Sequence, residues 1–183
     1  MNGPIDLDRR GSSRGWTRST RLLASLGGLA AICMMLHIAI DVVLRMSLNM
    51  PLRGTMEISS YYYMVAIVFL PLAYIDWLRE AITADLFFGM FPDWLKIVAV
   101  FVTLCGMVIA YGGLTILSFQ DALAFMARRE VAMGSGAVPI WAARFIMVIG
   151  LAAATLVNAW QLLLFASGRD RASWLVNEIK IEE

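Results

Sequence analysis

The residues in this sequence that could do chemistry are few enough to take one at a time. His37 is the single histidine, one helical turn before Asp41. A haem held between membrane helices needs two axial ligands, and with one histidine only a His/Met pair could serve. The twelve methionines are scattered through apolar runs, which is how packing filler is distributed. Cys33 and Cys105 also lie inside apolar runs, where cysteine acts as a small apolar residue and implies no disulfide. No Cys/His spacing suits zinc, no glycine-rich loop cradles a phosphate, and no serine has a visible triad partner. The sequence therefore predicts no catalytic residue, no cofactor and no metal site.

The remaining polar residues point to pairing and contact. The stretch "DVVLRMSLNMPLRGTMEISSYYY", Asp41 to Tyr63, sets two carboxylates and two arginines between apolar runs. Asp41 and Arg45 are four apart, so on a helix they share a face and can form an ion pair. Arg45 would close one helix and Glu57 open the next, each at the end where the backbone dipole favours its charge. Pro51 and Gly54 shape the turn between them. Such charges can cap and staple a helical hairpin, or one of them, with Arg53 and Asn49 beside it, can contact a second protein. Arg128 and Arg129 mark a later turn, Arg128–Ala137. Asn158 and Gln161, three apart, share a helical face that would be costly to show to lipid, so they are expected to meet another helix. Arg144 lies within reach of an interface and can snorkel there.

The elements that must hold these residues follow from composition. Of 183 residues, 60% are hydrophobic and 16% charged, against about 45–50% and about 25% in a soluble domain. The excess gathers in four blocks, Leu22–Ile40, Ile58–Ile75, Ile97–Phe119 and Phe145–Phe165, which are 19, 18, 23 and 21 residues long. A helix needs about 20 apolar residues to cross the hydrocarbon core. Too little polar surface remains to cover a water-soluble particle, and no block alternates as a barrel strand would. The sequence predicts an all-α membrane protein with four transmembrane helices at about 21–45, 56–79, 93–121 and 138–167, forming one compact domain.

The net charge of +1 conceals an asymmetry that orients the chain. Arg9, Arg10, Arg14, Arg18 and Arg21 precede the first block. Arg79 and Lys96 lie in the second connection, and Arg169, Arg171 and Lys180 in the C-terminal tail. The other side carries Arg45, Arg53, Arg128 and Arg129. The positive-inside rule then gives an N-in/C-in topology, with a flexible cytoplasmic tail over 1–20 and a second over 168–183. The first block is too long for a signal-peptide core and is read as a retained anchor.

Within the connection "DWLREAITADLFFGMFPDWLK", Asp76 to Lys96, Phe87, Met90, Phe91, Trp94 and Leu95 can share one helical face. This predicts a short amphipathic helix in the headgroup layer, anchored by Trp77 and Trp94. Pro71 removes one backbone donor within the second helix, as fixed geometry more than as a hinge. Gly27 with Ala31, and Gly106 with Ala110, form small-xxx-small steps that let helices approach closely.

An arginine closing helix one, "NMPLRGTMEIS" leading into helix two, and "ADLF" after a proline-containing helix together resemble the small membrane subunit of tripartite ATP-independent periplasmic (TRAP) transporters, the DctQ-like family. Asn49, Pro51, Gly54 and Glu57 match the family's turn, and Arg45 matches the arginine before it. Family members often carry a histidine shortly before the acidic position of the second connection. Ile82-Thr83-Ala84-Asp85 lacks it, which leaves any role for Asp85 in doubt.

The resemblance implies a multi-pass protein of the bacterial inner membrane, not an enzyme, surrounded by lipid and binding no nucleic acid. Its implied partners are a large membrane subunit, which holds the coupling sodium and moves a small organic acid by an elevator-like displacement, and a periplasmic substrate-binding protein. The small subunit would be a static scaffold, with its binding-protein contact at the outer turns. Hydropathy leaves two other classes open, a membrane anchor of a redox complex resting on His37 and an autonomous small transporter.

Overall fold

The computed structural model of the chain describes residues 14–78, 92–132 and 138–168. Four long helices account for almost all of them: α1 (Arg14–Leu48), α2 (Thr55–Leu78), α3 (Asp93–Arg128) and α4 (Trp141–Ala166). Each is long and apolar enough to span a membrane. The only β pairing among the described residues is an isolated antiparallel bridge, Val131 with Pro139, in the turn between α3 and α4. The amphipathic segment expected between α2 and α3 lies mostly outside the described residues, as does Asp85.

α1 begins at Arg14, inside the segment expected as a tail. At a rise of 1.5 Å per residue its 35 residues run about 52 Å, well beyond the ~30 Å hydrocarbon core. α3, with 36 residues, is similarly long. α2 opens at Gly54, whose φ of 85° puts it in the left-handed region. It passes through one π-helical stretch, Ser59–Tyr63, and continues through Pro71 to Leu78.

The four helices pack in a row. α2 packs against α1 and α4, and α4 packs against α2 and α3, so the spatial order is α1, α2, α4, α3 with α1 and α3 at open edges. Glycines set the two contacts of α2. A Cβ on Gly27 would lie 2.7 Å from Cγ of Pro71, so α1 rests on the proline ring. A Cβ on Gly150 would lie 2.3 Å from the carbonyl oxygen of Phe69, so the backbones of α2 and α4 nearly touch there. Pro71 is thus a packing surface within a continuous helix. The Gly106 step, by contrast, has nothing within 4 Å.

The buried apolar centre is Ala73 and Trp77 of α2 with Ala154 and Val157 of α4, flanked by Leu23 of α1 and Tyr111 of α3. Thr115 and Thr155 meet between α3 and α4 with hydroxyl oxygens 3.2 Å apart. Each also donates to a carbonyl of its own helix, Thr115 to Tyr111 at 2.7 Å and Thr155 to Leu151 at 2.8 Å. In a medium without competing water, a hydroxyl satisfied on its own helix can still bridge to the next.

Candidate functional site

The α1–α2 turn is organised by Asp41. This residue is 5% exposed, and its carboxylate takes two different donors. Oδ2 accepts from the Arg45 guanidinium at 3.0 Å, the i,i+4 pair expected from spacing. Oδ1 accepts the backbone N–H of Leu52 at 2.8 Å, eleven residues on. One carboxylate therefore closes both the last turn of α1 and the loop that follows it. Arg45 keeps 60% of its side chain exposed, so its other donors face outward.

The turn's backbone needs two left-handed residues, Asn49 at φ 52° and Gly54 at φ 85°. Asparagine tolerates this conformation better than other non-glycine residues, and glycine adopts it without cost. A hollow of about 710 Å³ opens in the turn, lined by Arg45, Asn49, Pro51, Arg53 and Glu57 among others. Pro51 and Arg53 are exposed, and Glu57 stands half-buried in the first turn of α2.

The α3–α4 turn stands at the same end. Arg128 lies in the last turn of α3, and Arg129 caps it in the left-handed region at φ 48°; both are exposed. Beyond them the chain doubles back, Ala132 N–H to the Val138 carbonyl at 2.8 Å and Ile140 N–H to the Glu130 carbonyl at 3.1 Å. Residues 133–137, part of the stretch marked from sequence, lie outside the described residues. α2 joins the two turns through its π-helical stretch. The Tyr62 hydroxyl donates to the Pro139 carbonyl, and Tyr63 presents its hydroxyl 3.4 Å from Nδ1 of His37 with the two rings edge to face. His37, the one histidine, is thus placed against a tyrosine of the neighbouring helix. The Ser59 hydroxyl, in the same stretch, is buried without a hydrogen-bond partner among the described residues.

Arg144 does not reach outward to snorkel. Its guanidinium carbon sits 3.5 Å from the centre of the Phe125 ring, and Nη1 lies 3.6 Å from the Asp121 carboxylate. A positive charge in the first turn of α4 opposes the helix dipole, and the ring and the carboxylate on α3 offset it.

Asn158 and Gln161 meet another helix, as their spacing predicts, and that helix is α2. The Asn158 Nδ2 donates to Oδ2 of Asp76 at 2.7 Å and also to the Ala154 carbonyl at 3.0 Å. The Gln161 Nε2 donates to the backbone carbonyl of Asp76 at 2.7 Å. All three residues are buried, at 6% exposure or less. Asp76 falls within the helix expected over 56–79 but just past its apolar block, which ends at Ile75, and the sequence assigned it no contact. The available signal was its position three residues after Ala73 and beside Trp77, on the face that packs. The contact lies about 30 Å along α2 from the turns, so the structure does not bring Asn158 and Gln161 together with Arg45, Arg53 or Arg129.

Among the described residues no group of three His, Cys, Asp or Glu side chains converges on a point. The arrangement offers a rigid interior and, at one end, two polar turns tied to each other.

Comparison with known proteins agrees with this character. A family model described as the DctQ component of tripartite ATP-independent periplasmic transporters matches residues 34–167, from the middle of α1 to the end of α4. No curated protein and no solved structure matches. The matched span takes in both turns and the Asp76 contact, and it covers well over half of the chain; this multi-pass membrane protein belongs to the DctQ family, a transporter component and not an enzyme.

Proposed function

We propose that this chain is the small permease subunit of a sodium-coupled TRAP transporter for small organic acids. It acts as a static scaffold for the large elevator-type membrane subunit and helps to dock the periplasmic substrate-binding protein. The coupling sodium belongs to the large subunit. The chain sits in the bacterial inner membrane with both termini in the cytoplasm, which makes the α1–α2 and α3–α4 turns periplasmic.

The observation that carries this reading is how α2 is held. Gly27 seats Pro71 on one side and Gly150 meets the Phe69 backbone on the other, while Asp76 is held by two amides of α4. An elevator needs a frame that stays still while another body slides. Backbone-close contacts and satisfied buried polar groups resist such sliding. The polar groups between α2 and α4 are engaged with one another over short distances, which suits a protein that holds position more than one that passes an ion.

The test is reconstitution. Vesicles bearing this chain alone are expected to accumulate no organic acid under a sodium gradient, and vesicles that also hold the large subunit and the binding protein are expected to do so. Accumulation by the chain alone overturns the scaffold reading. For the docking role, Arg53→Glu and Arg129→Glu are expected to reduce uptake in the complete system without loss of the membrane complex. Unchanged uptake removes the turns from the docking surface.

A further inference from the structure

The first two turns of α1 carry charge of one sign. From Arg9 to Ile40 the sequence has five arginines and no acidic residue, Asp6 and Asp8 standing before them. Arg14, Arg18 and Arg21 fall at i, i+4 and i+7, so they share one line along the helix, and Arg18 and Arg21 are exposed. Among the described residues neither of these two guanidinium groups is in an ion pair or a hydrogen bond. The start of a helix is the positive end of the backbone dipole, where Asp or Glu is favoured. The first turn of α1 has neither. Arginines gathered there repel one another and the dipole, and an anion from outside the chain relieves both.

The same line continues along the helix as hydrocarbon. Leu29, Ile32 and Leu36 follow at helical spacing, with Leu22 beside them, and all four are exposed. Ser25, between Arg21 and Leu29, returns its hydroxyl to the Arg21 carbonyl at 2.8 Å. The opposite side of α1 holds Thr20, which is buried, and Gly27, which rests on Pro71. The line therefore lies on the edge turned away from α2.

Depth fits the two chemistries to one kind of molecule. Arg21 adjoins the apolar block that begins at Leu22, and Arg18 stands about 4.5 Å further out, within a headgroup layer about 5–8 Å deep. One turn apart, the two side chains can straddle a single phosphate, and guanidinium groups match its oxygens in pairs. From Leu22 to Ile32 the helix rises about 15 Å, half of the ~30 Å core and so the reach of one leaflet's acyl chains.

We propose that this edge of α1 binds an acidic phospholipid of the cytoplasmic leaflet, with its phosphate between Arg18 and Arg21 and an acyl chain along Leu22, Leu29 and Ile32. A molecule with an anionic head and apolar tails matches both the charge and the aliphatic line below it, whereas a soluble anion matches only the charge. The inference is independent of the scaffold role and takes from it only the side on which the N-terminus lies.

The experiment titrates the full-length chain, purified in mild detergent, with phosphatidylglycerol, cardiolipin or phosphatidylcholine, and reads bound lipid by native mass spectrometry. The two acidic lipids are expected to bind in preference to phosphatidylcholine. Arg18→Gln with Arg21→Gln is expected to weaken that binding about twenty-five-fold, about fivefold for each arginine. Arg18→Lys with Arg21→Lys is expected to keep most of it, and Lys96→Gln, which removes a charge from α3, to leave it unchanged. Both arginines are exposed and glutamine is a good helix former, so helix content is expected to stay at the wild-type level. Equal binding of phosphatidylcholine, undiminished binding by the glutamine pair, or displacement of the lipid by inorganic phosphate overturns the assignment.

A second measurement needs no substitution. Phosphatidylglycerol with a photoreactive group in its acyl chain is expected to label the wild-type chain between Leu22 and Ile32. Label confined to the other helices overturns the assignment. Because no other subunit is present in either measurement, their outcome leaves the scaffold reading to its own test.

Discussion

Asn158 on α4 donates its amide to the Asp76 carboxyl group on α2 at 2.7 Å, while Gln161, one turn on, donates to the backbone carbonyl of the same aspartate at 2.7 Å. A single residue of α2 thus receives two amides from α4 inside a buried interface. Removing one partner of a buried hydrogen bond leaves the other unsatisfied, at a cost of about 1–3 kcal/mol. Asn158→Leu is therefore expected to lower the thermal stability of the detergent-purified protein by that amount, and Asp76→Ala by a similar one. The double variant is expected to lose less than the sum, because the second change removes the group that the first left stranded. Strict additivity of the three melting shifts would show that the two side chains are not coupled.

The glycine contacts make a ranked prediction. Gly150→Ala forces a methyl group to within 2.3 Å of the Phe69 carbonyl oxygen, so two backbones must part. Gly27→Ala meets the Pro71 ring at 2.7 Å, which gives way somewhat more easily, and Gly106→Ala meets nothing within 4 Å. Overpacking costs about 1–3 kcal/mol. Gly150→Ala is expected at or above the top of that range, Gly27→Ala lower in it, and Gly106→Ala near zero. Melting curves of the three purified variants test the order. A melting temperature for Gly150→Ala close to that of wild type would mean that α2 and α4 are not in backbone contact.

Much of this was legible in the sequence, for identifiable reasons. The four helices follow from block length alone, since only a helix satisfies its backbone over about 20 apolar residues in lipid. The Asp41–Arg45 pair follows from i,i+4 spacing, and the meeting of Asn158 and Gln161 with another helix from the cost of exposing amides to lipid. Relations set by the third dimension were not legible. Nothing local to Asp76 says that α4 will stand opposite it. Arg144 could be placed near an interface, but its seat over Phe125 depends on how α3 and α4 align. The open row could not be foreseen either, because hydropathy fixes that helices span and leaves open which of them touch.

Asp41 offers a separation of charge from capping. Asp41→Asn is expected to weaken the bond to Arg45 and to keep an oxygen that can accept the Leu52 N–H. Asp41→Ala removes both. Because Arg45 is 60% exposed, the ion pair itself is worth at most about 1 kcal/mol, whereas the hydrogen bond from the Leu52 N–H to the carboxylate, a bond to a charged group, is worth about 1.5–3 kcal/mol. Asp41→Ala should therefore destabilise more than Arg45→Ala, with Asp41→Asn near the latter. Limited proteolysis at Arg53 should follow the same order, since the loop is held through the Leu52 N–H. Equal protection in Asp41→Ala and wild type would show that the carboxylate does not hold the loop.

The π-helical stretch Ser59–Tyr63 makes the strongest test of how the turns are joined. An α-helix advances about 100° per residue, so one residue accommodated as a π-bulge shifts the face of everything before it relative to everything after. In this chain the shift is what lets Tyr62 reach the Pro139 carbonyl while Tyr63 meets His37 and Pro71 still seats Gly27. Tyr62→Phe removes one hydrogen bond and is expected to cost about 1 kcal/mol, with the fold intact. Deleting Ser60 removes the residue that the bulge absorbs, so α2 is expected to run as regular α with the Gly54–Ser59 segment on the face it has now, and the melting temperature and the protection of the Leu52 amide proton are expected to stay near wild type. Inserting an alanine after Ile67, in regular α-helix, is expected to turn the Gly54–Tyr63 segment by about 100° against Pro71, to break the turn-to-turn contact and to lower the melting temperature far more than Tyr62→Phe. An insertion variant that melts with the wild type, with Leu52 still protected, would mean that the register of α2 does not set the geometry of that end.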